Sequence, residues 1–273
     1  MNNLRNILFC FIAIAALCGA ASAQTKPSDG TPTLWLVGDS TVKNGTHVQV
    51  GWGEVIGKFF DTSKIHVQNR AIGGRSSRTF VTEGRWDAIV AIAHPGDFVL
   101  IQLGHNDGGP INDAKARGSL HGIGDETQDV DNPVSGKHET IHTYGWYMRK
   151  IVDDSKSHGL TPIICSPVPH APRAAVAAGD LEKSEYVTWS EQVADQEKIQ
   201  FIQLNGLIND KYAGLDPAQI KSQYFTPADN THSSPAGAML NASCVVEGIR
   251  RLQDCPLSQY LLAPTTEPTT QPH

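Results

Sequence analysis

The chain has 273 residues, 40% of them hydrophobic, with 28 acidic against 22 basic side chains and a formal charge of −6. That balance excludes a nucleic-acid binder and a protein held to anionic membrane by charge, since both need a basic surface. The first residues carry Arg5, an apolar stretch from Ile7 to Leu17 and the small-residue site Ala21-Ser22-Ala23. This reads as a secretory signal peptide over 1–23, cleaved before Gln24. The stretch is short for a membrane span, and Leu17 before Cys18 departs from a lipid-attachment signal. The protein is therefore expected to be secreted or periplasmic, with no membrane contact. Only Cys165, Cys244 and Cys255 follow the leader, too few for a disulfide scaffold. On one helix Cys244 and Cys255 would stand about 16 Å apart. A bridge spans at most roughly 7 Å between Cα atoms, so that pair needs the helix to end early and fold back.

About 250 residues after cleavage suit one domain, expected over 24–262. Near-continuous apolar runs predict strands at Thr33 to Val37, His66 to Asn69, Phe98 to Leu103, Pro162 to Ser166 and Gln200 to Leu204, buried on both faces. Between them, amphipathic runs predict helices at Trp52 to Phe60, Trp86 to Ala93, Tyr144 to Ser157, Ser184 to Glu197 and Pro235 to Leu252. Strands alternating with helices imply an α/β fold with a parallel sheet. Ser234 before Pro235 is an N-cap followed by proline at the first helical position. Gly108 to Ile141 is long, rich in Gly and Asp, and aperiodic, which marks it as a wall or lid of a binding cleft. The Pro/Thr-rich tail over 263–273 cannot build a core and is expected to be disordered.

Two segments carry chemistry. Gly38-Asp39-Ser40-Thr41 follows the first strand, and Asp229-Asn230-Thr231-His232 precedes the last helix. A serine hydroxyl is a weak nucleophile unless a histidine takes its proton and a carboxylate fixes the imidazole tautomer. Ser40, His232 and Asp229 supply those three roles. Acyl transfer also needs donors aimed at the developing oxyanion. Ala71-Ile72-Gly73-Gly74-Arg75-Ser76 and Gly104-His105-Asn106-Asp107 each follow a strand, so both can face Ser40. The remaining histidines match no metal-ligand spacing, so neither metal nor cofactor is expected. His105 reads as a structural hydrogen-bonding residue rather than a second base. Trp52 and Trp146 are candidates for stacking on a sugar or for core packing. Arg75 has the planar fork to bind a carboxylate, and an internal salt bridge is the alternative.

These blocks resemble the SGNH or GDSL hydrolase superfamily, through Gly38-Asp39-Ser40, the Gly74 loop, Gly104-His105-Asn106-Asp107 and Asp229-x-x-His232. Within it, Asn44-Gly45, Gly51-Trp52-Gly53, Gly74-Arg75-Ser76, Gly84-Arg85, Gly108-Gly109 and Thr231-His232-Ser233-Ser234-Pro235-Ala236-Gly237 are most similar to the rhamnogalacturonan acetylesterases. The resemblance implies a flavodoxin-like three-layer α/β/α sandwich with a five-stranded parallel sheet. It implies Ser40 as nucleophile, His232 as general base and then acid, Asp229 as its partner, and an oxyanion hole of the Ser40 and Gly74 N–H groups plus Asn106. The implied activity is removal of acetyl groups from plant cell-wall polysaccharide, rhamnogalacturonan first and xylan second. An inactive carbohydrate-binding relative is the rival of another class. One departure is that related fungal enzymes carry paired disulfides, whereas the long loop here has no cysteine.

Overall fold

The five apolar runs become one all-parallel sheet. In the computed structural model, which describes residues 30–46, 48–182 and 184–263, these are β1 (Thr33–Gly38), β2 (His66–Asn69), β3 (Phe98–Gln102), β6 (Thr161–Cys165) and β7 (Gln200–Ile202). The predicted signal peptide and the tail from residue 264 lie outside the described residues. The strand order is β2-β1-β3-β6-β7, with Leu34 opposite both Val67 and Phe98 and Phe98 opposite Thr161. This is the doubly wound order, in which strand C-termini open a crevice where the order reverses. That reversal lies between β1 and β3, at Gly38 and Gln102.

Alternation along each strand feeds two cores. Leu34, Leu36, Leu100, Ile163 and Cys165 pack on one face with residues of α5 (Leu204–Tyr212) and α7 (Pro235–Arg251). Trp35, Val37, Val99, Ile101 and Ile164 pack on the other with α1 (Ser77–Thr82), α2 (Arg85–Val90), α3 (Tyr144–Ser157) and α4 (Glu185–Glu197). Burial on both sides explains why the central strands β1, β3 and β6 read as unbroken apolar runs, whereas the edge strands β2 and β7 are partly exposed. Among the described residues, no helix is long and apolar enough to cross a membrane.

The differences from the sequence reading are local. Trp52 to Phe60 forms two short 3-10 turns instead of one helix. Its Gly53 and Gly57 weaken a continuous helix. Leu204, predicted to end the last strand, instead begins α5, and α6 (Pro217–Tyr224) follows with Asp216 capping its first turn. Part of the long loop is ordered as an antiparallel hairpin of β4 (Thr127–Asn132) and β5 (Lys137–His142). α7 starts at Pro235, where Ser234 Oγ accepts from the Gly237 N–H at 3.1 Å. It ends at Arg251, before Cys255, and Cys165, Cys244 and Cys255 are all free and buried. Burial pushes the Cys244 thiol up to about 12 and also raises Cys165.

Candidate active site

Ser40 stands two residues beyond the end of β1, in a turn closed by the Val42 and Lys43 N–H groups on the Asp39 carbonyl at 3.1 and 3.0 Å. The turn rests on a buried polar relay. Asp39 Oδ1 accepts from the Thr41 N–H at 2.8 Å and the Thr41 hydroxyl at 2.7 Å. Thr41 Oγ1 in turn accepts from Gln102 Nε2 at 2.7 Å, and Gln102 Oε1 accepts from Trp52 Nε1 at 2.7 Å. The other Asp39 oxygen faces His105 Nδ1 at 3.3 Å, while His105 Nε2 lies 2.9 Å from the Val168 carbonyl. Both ring nitrogens therefore meet acceptors, which only an imidazolium satisfies. Burial works against both charges. Even so, the pairing with His105 and the Thr41 hydrogen bonds hold Asp39 below the usual carboxylate range. For His105, burial is outweighed by Asp39 and the Val168 carbonyl, which raise it. His105 is a positioning group that joins the ends of β1, β3 and β6.

His232 comes from the loop before α7. Its Nε2 is 2.8 Å from Ser40 Oγ and its Nδ1 is 2.8 Å from Asp229 Oδ2. Asp229 Oδ1 accepts from the backbone N–H groups of Thr231 and His232, each at 2.8 Å. Burial would raise this carboxyl, but the His232 ring and those N–H groups hold it down at about 2. It therefore stays ionised across the range in which proteins fold. Gln49, which no sequence pattern singled out, donates Nε2 to Asp229 Oδ2 at 3.0 Å and to Thr226 Oγ1 at 3.3 Å. The Val50 N–H to Ser233 carbonyl bond at 3.0 Å and the Ser233 Oγ to Val50 carbonyl bond at 3.0 Å lash the two loops together. Lys221 Nζ closes the same turn on the Thr226 and Asp229 carbonyls.

The expected oxyanion donors sit on neighbouring strand ends. Gly74 has φ +77°, a left-handed conformation that disfavours other residues. The adjacent Gly73 lies against Ser40: a Cβ there would be 3.5 Å from the serine Cβ. Asn106 is buried, and its Nδ2 donates to the Arg75 carbonyl at 3.0 Å. A primary amide carries two N–H bonds, so that contact orients Asn106 and leaves the second proton available. Asp107 is buried under the same loop and accepts from the Ser77 N–H at 3.0 Å, the Ser77 hydroxyl and the Ser119 hydroxyl at 3.0 Å. Burial pushes it up to about 6 despite those donors.

Two expected substrate contacts are otherwise engaged. Trp52 is fully buried with its indole N–H on Gln102, so it has no face for a sugar and belongs to the core. Arg75 Nε lies 2.9 Å from Glu83, and Arg85 Nε lies 2.6 Å from the same carboxylate oxygen, so the internal salt bridge is what forms. Trp146 stacks on His142, with ring centroids 3.7 Å apart. The long loop is tied down by the buried Arg78. Its guanidinium forks onto Glu139 of β5 at 2.8 and 2.7 Å and donates to the Ile111 and Gly118 carbonyls at 2.8 Å each. Among the described residues, no cluster of His, Cys, Asp and Glu is placed to hold a metal ion.

Residues 36–240 match the GDSL-like lipase/acylhydrolase family. The chain belongs to that family. It is 29% identical over 228 residues to a rhamnogalacturonan acetylesterase of Emericella nidulans, covering 84% of this chain and 89% of that protein. It is 30% identical over 247 residues to the rhamnogalacturonan acetylesterase RhgT of Bacillus subtilis, covering 84% and 94%. Among solved structures, the YxiM protein of Bacillus subtilis superposes with a TM-score of 0.64 at 24% identity. It covers 81% of this chain, which spans 56% of that one, and the likeness speaks for the fold alone. As a GDSL-like acylhydrolase, the chain is a carboxylic ester hydrolase.

Proposed function

We propose that this GDSL-like hydrolase is an exported carbohydrate O-acetylesterase whose principal substrate is acetylated rhamnogalacturonan. The observation that carries the reading is the unbroken line Ser40 Oγ, His232 Nε2, His232 Nδ1, Asp229 Oδ2, with 2.8 Å at each hydrogen bond. Asp229 holds the tautomer in which Nδ1 bears the proton, so Nε2 accepts from the serine hydroxyl. Ser40 attacks the acetyl carbonyl as its proton passes to His232. The oxyanion that forms is met by the Ser40 and Gly74 N–H groups and the second N–H of the Asn106 amide, and one such donor is worth about a hundredfold or more in rate. His232 then protonates the departing sugar oxygen. The acetyl-serine that remains is hydrolysed by water with His232 again as base.

The polar character of the loop beyond Gly108 supports a sugar chain over a lipid, and the similarity to named rhamnogalacturonan acetylesterases supports the substrate. The leader-like composition of residues 1–23 supports export. The deciding experiment measures acetate release by wild type and Ser40→Ala from acetylated rhamnogalacturonan and acetylated xylan. Release by wild type alone, chiefly from rhamnogalacturonan, is the expected result. A xylan preference moves the substrate and keeps the mechanism. Equal release by both proteins refutes Ser40 as nucleophile, and no release from either supports the inactive-binder alternative.

A further inference from the structure

Arg117 is a cation held beside the proposed reaction centre without a hydrogen-bonded partner. Its Nη1 lies 3.4 Å from where a Cβ on Gly74 would stand, and its Nε lies 3.8 Å from the corresponding point on Gly109. The guanidinium therefore occupies a slot between two residues that lack side chains, one of them the proposed oxyanion glycine. Among the described residues Arg117 makes no hydrogen bond and no ion pair, and it is partly buried. Its neighbours differ. Arg75 and Arg85 share Glu83, and Arg78 is held by Glu139 and two carbonyls.

The loop that carries Arg117 is built to present it. Asp113 Oδ1 accepts from the Lys115 N–H at 2.8 Å and the Ala116 N–H at 2.7 Å, and this carboxylate feels the Arg117 charge at longer range. Ala116, immediately before Arg117, has φ +42°, a left-handed conformation that costs a residue with a Cβ roughly 1 kcal/mol or more. Immediately after it, the Gly118 N–H donates to the Pro110 carbonyl at 3.0 Å, and a Cβ on Gly118 would fall 1.8 Å from the Gly109 oxygen. The Ser119 N–H then bonds the Asp107 carbonyl at 3.1 Å, and Arg78 grips the Gly118 carbonyl. Backbone strain on one side and close packing on the other leave the side chain little choice of direction.

We propose that Arg117 binds a uronate carboxylate of the acetylated chain and sets the enzyme's preference for uronate-containing chains. A guanidinium offers five donors and no acceptor, and its planar fork matches a carboxylate with two parallel hydrogen bonds. A partly buried, unpaired fork next to the oxyanion loop gains most from a planar anion delivered with the substrate. The inference rests on the esterase reading above for its substrate, and on the geometry of residues 109–119 for its site.

The test compares Arg117→Gln and Arg117→Lys with wild type on acetylated rhamnogalacturonan oligosaccharides and on the same oligosaccharides with their uronate carboxyls reduced to alcohols. Loss of a charge-assisted bidentate pair is worth about 10- to 100-fold. Arg117→Gln should therefore lose at least tenfold in kcat/KM on the acidic substrate, through KM, and several-fold less on the reduced one. Wild type should fall toward the variant when the carboxyl is removed. Arg117→Lys should lie between them, because it keeps the charge without the fork. In parallel, deacetylated acidic oligosaccharide is titrated into Ser40→Ala and Ser40→Ala/Arg117→Gln, where the second replacement should weaken binding about tenfold. Equal losses on acidic and reduced substrates, no loss on either, or unchanged titration would each overturn the proposal. If wild type releases no acetate at all, the esterase reading falls while the titration still decides the role of Arg117.

Discussion

The two sides of Ser40 are built in different materials. On the strand side, Asp39, Thr41 and Gln102 are buried, the His105 side chain is only 5% exposed, and the four bond to one another and to core groups such as Trp52 and the Val168 carbonyl. On the loop side, His232 and Asp229 keep 25% and 35% of their side-chain surface exposed. They are held by backbone N–H groups, Gln49 and Lys221. The proposed nucleophile is thus fixed by a foundation that is costly to disturb, while its proposed proton-handling partners sit in a tied loop open to solvent. Damage to the first should appear as lost stability, and damage to the second as lost rate.

The largest effect expected from breaking that division is Asp229→Asn. The amide can donate to His232 Nδ1, which favours the wrong tautomer and should cut kcat by roughly 10³- to 10⁴-fold with little change in melting temperature. Stopped-flow or steady-state acetate release checks the rate, and a melt of equal midpoint checks the fold. Because Asp229 is held at about 2, its own protonation should not set the acid limb of a kcat/KM profile measured above pH 4.

His105→Leu should do the reverse and destabilise the fold by about 3 kcal/mol, the scale for stranding one partner of a buried pair. The pH dependence has a definite sign. Asp39 is lowered from 3.8, so its contribution exists above that value and is lost as pH falls through its folded pKa. His105 is raised from 6.5, so its contribution is complete below that value and lost as pH rises through its folded pKa. Urea unfolding of wild type and variant should therefore differ most between pH 3.8 and 6.5, and the gap should close as pH falls through the folded pKa of Asp39 or rises through that of His105. A constant difference across pH would show that the pair carries no charge. The smallest effect belongs to Gln49→Ala, which removes one of the donors on Asp229. A few-fold loss of kcat, about 1 kcal/mol for one hydrogen bond, with unchanged stability would place Gln49 with the loop side.

The central strands β1, β3 and β6 were legible because each is sealed on both faces and reads as an apolar run, and α7 because Ser234 and Pro235 announce its start. The hairpin was not legible: Thr127–Asn132 and Lys137–His142 each bury one residue, Val130 and Ile141, so no hydrophobic alternation marks them. Trp52 to Phe60 carries a helical apolar spacing, but its glycines permit the tighter turns that form. In the site, Ser40, Asp229 and His232 stood out because their motifs are local. Gln49, Arg78 and Arg117 did not, because each acts on residues 30 or more positions away or through the path of a folded loop. The Asp39 and His105 pairing is of the same kind, since two adjacent strand ends bring together side chains 66 positions apart.

The three cysteines among the described residues carry a consequence for oxidative chemistry. Thiolate is the form that oxidises and exchanges, and burial holds Cys165 and Cys244 far from ionising at neutral pH. In an oxidising medium the described residues of the folded protein would therefore offer no cysteine ready to form a mixed disulfide. Its exposure comes earlier, while the chain is unfolded and all three sulfurs are free to pair wrongly. Collapse of the sheet, which buries Cys165 at the end of β6, is what ends that interval.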